Sequence, residues 1–224
     1  MHASAPRISS DAAVSPTGRR ERNRLEKLDR ISASARTLFD DYGYEAVTTQ
    51  QIAEHADVAV GTVFLYARTK AELLIMVQNE LFRAAVRAGV QRAQATEFPS
   101  ATEAILALLT PVLEGAAVQP ENTIAYQREL LFGASTERYR SEGIAIVLDL
   151  ECHIAELLAG DASLPPVKAA ARSIFGAVHL TISQVTTRAH AELPNLELLA
   201  LQVAQIVAGF RATTHESSSE GATQ

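Results

Sequence analysis

From Arg19 onward apolar residues recur at intervals of three and four. Leu25, Leu28, Ile31, Ala35, Leu38, Phe39 and Tyr42 form one stripe, the mark of a helix with a single buried face. Gly43 ends it. Thr48 and Thr49 are cap candidates for a short helix over 49–56, Asp57-Val58-Ala59 interrupts the pattern, and a second short helix follows over 60–66. Thr69 then caps a long helix over 70–94, with Leu73, Val77, Leu81, Ala84 and Ala88 inward. After the turn at Phe98-Pro99-Ser100 comes a helix over 101–117, with Ile105, Leu108, Leu109, Val112 and Leu113 inward and a kink expected at Pro111. Pro120 opens 121–133. Further helices are expected over 137–159, 166–190 and 195–212. No stretch alternates as a strand does and no repeat is present. The fold class is all-α: about nine helices, with a three-helix head over 19–69, a larger helical domain over 70–212, a disordered arm over 1–18 and a disordered tail over 213–224.

Composition narrows the class. Apolar residues make up 47% of 224 residues, enough for a sizeable core. The single cysteine, Cys152, excludes an internal disulfide framework and paired-cysteine zinc motifs. No unbroken apolar run suggests a membrane span and no signal-peptide pattern opens the chain, so the expectation is a cytoplasmic protein with no membrane partner. The net charge of −6 is uneven: residues 1–83 hold 11 basic and 11 acidic side chains, and the surplus acid lies beyond them. One end suits a polyanion and the other does not, which suggests two jobs in one chain.

The informative segment is 48–70. Two short helices joined by three residues have helix-turn-helix spacing. Ile52 and Val63 would face inward, Ala53 is small where the helices cross, and Val58 plugs the turn. Thr49, Gln50, Val60, Gly61, Thr62, Phe64 and Tyr66 would face outward, and Lys70 opens the next helix. The run Thr48-Thr49-Gln50-Gln51-Ile52-Ala53, then Ala56-Asp57-Val58-Ala59-Val60-Gly61-Thr62-Val63-Phe64-Leu65-Tyr66, then Lys70-Ala71-Glu72-Leu73 resembles the DNA-binding module of the TetR family of transcriptional repressors. The close match covers about 24–84. Three departures stand out. Asp57 replaces a usual Gly at a left-handed turn position, which Asp tolerates better than most residues. Ala59 replaces the usual capping Ser, and Ala67 replaces a usual Phe. Together they imply a looser reading head.

The resemblance implies that the helix over 60–66 enters the major groove. Thr49, Tyr66 and Lys70 would contact phosphate, Gly61 would let the backbone approach one, and Gln50, Val60, Thr62 and Phe64 would face base edges. That helix lacks Arg, Lys and Asn, so its specificity should lean to A·T pairs. Arg19, Arg20, Arg22 and Arg24 form a flexible basic run able to reach a minor groove. The family further implies a homodimer on a palindromic operator, paired through Ile174, Phe175, Val178, Ile182, Leu199, Val203, Ile206 and Phe210, with Ala169, Ala170, Ala171, Gly176, Ala177, Ala200, Ala204 and Ala208 allowing close approach. It implies an effector pocket among the helices of 70–160, for which Tyr126, Arg128, Glu129, Phe132, His153, His179 and Gln184 are the polar or aromatic candidates, and the aliphatic richness suggests an apolar small molecule. No cofactor or metal is called for. An enzyme is disfavoured: Cys152 and His153 diverge by about 100° on a helix, His153 and Glu156 could share at most one ion, and there is no phosphate loop and no GxSxG. The alternative is a helical dimeric protein-interaction module that does not bind DNA.

Overall fold

Thr48 begins the fold's most informative corner. Its hydroxyl accepts the Gln51 amide at 3.2 Å while the Gln51 side chain accepts the Thr48 amide at 2.8 Å, a reciprocal capping box. The computed structural model describes residues 16–133, 138–159, 162–187 and 195–220, all as helices and short turns. In order these are α1 (Pro16–Tyr42), α2 (Thr49–His55), α3 (Val60–Val63), α4 (Lys70–Gln94), α5 (Ala101–Val118), α6 (Pro120–Phe132), α7 (Arg138–Ala159), α8 (Pro165–Thr187) and α9 (Asn195–Glu220). The all-α expectation is met among the described residues.

Several bounds differ from those read in the sequence. Helix α1 begins at Pro16, so its first turn lies inside the stretch assigned to a disordered arm; residues 1–15 lie outside the described residues. Helix α3 is only four residues long, with turns continuing to Tyr66, where a longer helix was expected. The backbone of α9 runs on to Glu220, past the expected start of the tail at Thr213, and residues 221–224 lie outside the description. Pro111 does not break α5, which is continuous to Val118, and the Thr110 hydroxyl beside it donates to the Leu106 carbonyl at 2.7 Å. Two helices are span-length and apolar after all, α5 over its whole length and α9 over Leu196–Thr213, with mean hydropathies of 1.5 and 1.2. Each packs one face into the protein core through Ile105, Leu108 and Leu109, and through Leu199 and Val203.

The head is a tripod. Helix α1 buries Ile31, Ala35 and Phe39; Leu28 and Leu38 are half-buried, while Leu25 and Tyr42, assigned to the same stripe, are exposed. Ile52 and Val63 are fully buried, and Ala53, Ala56 and Ala67 fill the space between. Helix α2 ends in a Schellman turn: Asp57 N donates to the Glu54 carbonyl at 3.1 Å and Val58 N to the Ala53 carbonyl at 3.0 Å. Asp57, at φ 53°, occupies the left-handed C′ position of that turn, as the Gly-to-Asp departure requires. Val58 turns back onto the core.

Helix α4 closes the head and opens the body. Leu73 to Val77 lie in the head core, and Val86 in a second core with α5, α7, α8 and α9. Ala84 and Ala88, expected inward, are exposed, because α4 crosses α5 at Gly89: a Cβ there would meet the Leu108 carbonyl oxygen at 2.0 Å. Helices α5, α6 and α7 pack against α4, and α8 and α9 pack against those helices and each other.

Ala59 stands in extended geometry at the N-cap of α3 and offers no side-chain acceptor. Ala59→Ser supplies one. The expected gain is about 0.5–2 kcal/mol, read as a melting temperature higher by a few degrees; an unchanged midpoint would place the cap elsewhere.

Candidate nucleic-acid interface and ligand cavity

With Ile52 and Val63 turned inward, the opposite face of the corner is left to solvent. Gln50, Gly61 and Phe64 are exposed, and Thr49, Val60 and Thr62 are half-buried along the same ridge. Gly61 has open space around it: an added Cβ meets nothing within 4 Å. Packing therefore does not explain a glycine here. Gln50 is held by Glu54, donating to its carboxylate at 2.7 Å. Leu65, which the sequence reading left out, is 82% exposed beside Phe64 at 45%, so the ridge ends in an apolar tip. The signal was available: two positions beyond inward Val63, Leu65 lies about 200° round a helix and so faces outward.

Two of the expected phosphate contacts are engaged within the chain. The Tyr66 hydroxyl donates to the Arg24 carbonyl at 3.0 Å, tying the reading corner to α1. The Lys70 ammonium donates to the Tyr44 and Glu45 carbonyls at 2.9 and 3.3 Å and lies 4.4 Å from the centre of the Tyr44 ring. Its charge pins the 43–47 turn to the start of α4. The basic run is not a flexible arm over its described length: Arg19, Arg20, Arg22 and Arg24 are exposed positions on α1, and Arg24 is paired with Glu21 at 2.8 Å.

A second feature opens in the body. A cavity of about 980 Å³ is walled by α4 to α9. Gln78, Leu81, Phe82 and Ala85 supply the α4 wall, Tyr126 and Leu130 the α6 wall, Ile144 and Val147 the α7 wall, and Phe175, His179 and Ile182 the α8 wall. The walls extend beyond the 70–160 helices to α8 and to Gln202, Gln205 and Ile206 of α9. Leu131, Leu148 and Leu180, each more than half exposed, stand around it. Burial pushes the Tyr126 phenol well above its ordinary range, and the hydroxyl donates to Asn79 Oδ1 at 2.7 Å. Desolvation lowers the His179 imidazole, favouring its neutral form.

Of the candidate ligand residues, the structure brings Tyr126 and His179 to this cavity and leaves the rest out. Arg128 pairs with Glu129 at 3.5 Å, Phe132 is 82% exposed, and His153 sits on the outer face of α7 against Glu156 and Asp149. Gln184 is off the cavity wall, its Oε1 buried with no hydrogen bond. The larger walls were missed because Gln78, Leu81, Phe82 and Ala85 form their own helical stripe, beside the core face of α4.

The sequence model for bacterial regulatory proteins of the tetR family matches residues 31–77, which hold the whole corner from Ile31 to Val77. The HTH-type transcriptional repressor KstR of Rhodococcus jostii is 44% identical over 50 residues, 22% of this chain and 24% of that protein. KstR of Mycolicibacterium smegmatis is 35% identical over 75 residues, 34% of each. The chain thus matches about a quarter to a third of the length of those relatives. Two solved structures carry the fold through the body. FadR of Thermus thermophilus in complex with lauroyl-CoA has a TM-score of 0.61 at 22% identity, over 80% of this chain and 92% of that one. RolR in complex with resorcinol has a TM-score of 0.61 at 16% identity, over 84% and 88%. The chain thus carries a tetR-family domain over residues 31–77.

The residues expected to pair two copies lie mostly inside one. Ile174, Val178, Leu199 and Val203 are buried in the second core, and Phe175, Ile182, Ile206 and Phe210 are half-buried against it. Ala170, Ala171 and Ala177 are buried as well. The helical period explains the correction: the strongest apolar stripe of each helix is taken by its own core, and the next stripe round is Leu201, Ala204 and Ala208 on α9, with Leu180 on α8, all exposed.

Because the Lys70 ammonium joins α4 to the 43–47 turn, Lys70→Met should cost about 1.5–3 kcal/mol of stability, the range for hydrogen bonds to a charged group, measured by chemical denaturation without any nucleic acid. An unchanged midpoint would mean that this tether does not form in solution.

Proposed function

We propose that the chain is a homodimeric, cytoplasmic repressor that binds a palindromic operator through the ridge around Gly61, Thr62 and Phe64 and is released when a small molecule fills the body cavity. The observation that carries this is the capped, Schellman-terminated corner matched by the family. Two helices are locked by Ile52 and Val63, and Gln50, Gly61 and Phe64 are left exposed on the outer face. Helix α3 enters the major groove, and Thr49 with the α2 N-terminus lies at the backbone. Gln50, Val60, Thr62 and Phe64 face base edges, and Leu65 extends that apolar surface. With no cationic side chain on the ridge, apolar contact with thymine methyls and the Gln50 amide on adenine favour A·T pairs. Tyr66 and Lys70 shape the head, and each reaches phosphate only by leaving or sharing its internal partner. Arg19, Arg20 and Arg22 on α1 supply positive charge beside the duplex.

One such ridge makes too few base contacts to select one site, so two copies are needed, their ridges about 34 Å apart in successive major grooves. The exposed stripe of Leu201, Ala204 and Ala208 on α9, with Leu180 on α8, supports pairing there. The cavity is of the size that takes small ligands. Its aliphatic walls support an apolar effector, and the lauroyl-CoA of FadR offers a first compound to try. The effector acts by favouring the state whose ridge spacing fits DNA worse.

Labelled duplexes selected from a random library should bind tightly, with affinity falling steeply and log-linearly with salt, and should carry two half-sites rich in A·T pairs. Absence of duplex binding at low salt would reject the reading. Gly61→Ala separates folding from recognition. Helical propensity gives it equal or higher stability, by up to about 1 kcal/mol, while duplex affinity drops by about 1–3 kcal/mol through a lost charge-assisted backbone contact. Leu201→Glu should convert the dimer to monomer in sedimentation velocity with an unchanged helical spectrum; a dimer that persists would move the interface off α9.

A further inference from the structure

Helix α6 touches both the cavity and the head, and its connection to the head is polar and buried. Asn122 is completely buried. Its Nδ2 donates to the Phe39 carbonyl at 2.8 Å and its Oδ1 accepts the Tyr44 amide at 2.8 Å. Those two backbone groups flank the turn where α1 ends: Gly43 sits at φ 79° and its amide returns to the same Phe39 carbonyl at 3.0 Å. One turn earlier, the Gln119 side chain donates to the Asp40 carbonyl. The last turn of α1 is therefore held by side-chain amides from a helix about 80 residues further along the chain. Just beyond it, the Tyr44 and Glu45 carbonyls accept from the Lys70 ammonium.

The cavity begins at the next residue. Thr123, Tyr126 and Gln127 all line it. Tyr126 in turn grips α4 through Asn79, whose Nδ2 donates to the Tyr139 carbonyl of α7 at 2.8 Å. Moving α6 to admit an occupant strains either the Tyr126–Asn79 pair or the Asn122 bridge. An apolar contact could slide. A fully buried amide with both ends engaged cannot, because losing either bond leaves a buried polar group unpaired.

We propose that Asn122 is a positioning residue that transmits cavity occupancy to the head, so that a change in the cavity wall is read as a change in the pose of α1 and the 43–47 turn. This rests on the reading that the cavity occupant controls the head. Because the effector is not identified, the experiment uses built-in occupants. Gly115 and Gly176 both line the cavity, and an added Cβ at either meets nothing within 4 Å. Gly115→Phe and Gly176→Phe are each made in the native full-length chain and together with Asn122→Ser, or with Gln119→Ala should the Asn122 variant fail to fold. Hydrogen exchange over residues 39–47 and affinity for a selected duplex are then measured.

In the native background at least one phenylalanine should change exchange at the Tyr44 amide and duplex affinity by about five-fold or more, the lower end of allosteric coupling. With the bridge removed, the same substitution should change both by less than about two-fold. Equal responses with and without Asn122, or no response in the native background, would overturn the proposal. If the protein binds no duplex, the exchange measurement still decides whether Asn122 connects cavity to head, so this proposal and the regulator reading fail separately.

Discussion

Leu73, Leu74, Ile75, Met76 and Val77 sit in the core of the head, and ten residues further along the same helix Val86 and Gly89 sit in the core of the body. An α-helix of 25 residues is about 37 Å of nearly rigid rod at 1.5 Å per residue. A few degrees of tilt at the body end thus become ångströms at the reading ridge. Phe82 packs against both cores and also lines the cavity. The head cannot be described as a free module on a linker: its third wall belongs to the helix that forms one side of the cavity.

The tilt is referenced by polar groups more than by apolar ones. Each apolar atom pair contributes only about 0.1–0.2 kcal/mol and prescribes no direction. The groups that fix the head's angle are directional: Lys70 on the Tyr44 and Glu45 carbonyls, Asn122 on Phe39 and Tyr44, and Tyr66 on the Arg24 carbonyl. Two of them, Lys70 and Asn122, converge on one turn of backbone, between the end of α1 and the start of α2. That turn carries no expected DNA contact, yet it determines where Thr48, and so the whole capped corner, is presented.

How much of this was legible depends on the range of the interactions involved. Local chemistry was readable. Thr48 with Gln51 announces a capping box, Asp57 a left-handed turn, Thr69 the start of α4, and the uncapped Ala59 stands where the sequence placed it. Core stripes were readable from period alone, as Ile31, Ile52 and Val63 demonstrate. Unreadable were choices made between distant groups. Nothing in the neighbourhood of Lys70 says that its ammonium finds a carbonyl 26 residues away before it meets a phosphate. Nothing near Ile174 or Val203 says whether an apolar face closes on its own core or on a second copy. The cavity was obscure for the same reason. Gln78, Leu81, Phe82 and Ala85 look like ordinary amphipathic surface until five other helices are arranged around them.

The reading helix itself explains why those distant groups matter. Helix α3 has four residues, far below the length at which a helix holds itself together. It has no side-chain cap, and its core contribution among its own residues is Val63. Ala67 fills less space beneath α4 than an aromatic residue would, and it is buried. A segment this short takes its geometry from what surrounds it: α2 through the Schellman turn, α1 through Tyr66, and α4 through Lys70. A weakly self-determined reading element on a strongly determined frame is the arrangement in which a displacement of the frame moves the reader as a unit, instead of being absorbed by a stable helix pivoting against its neighbours.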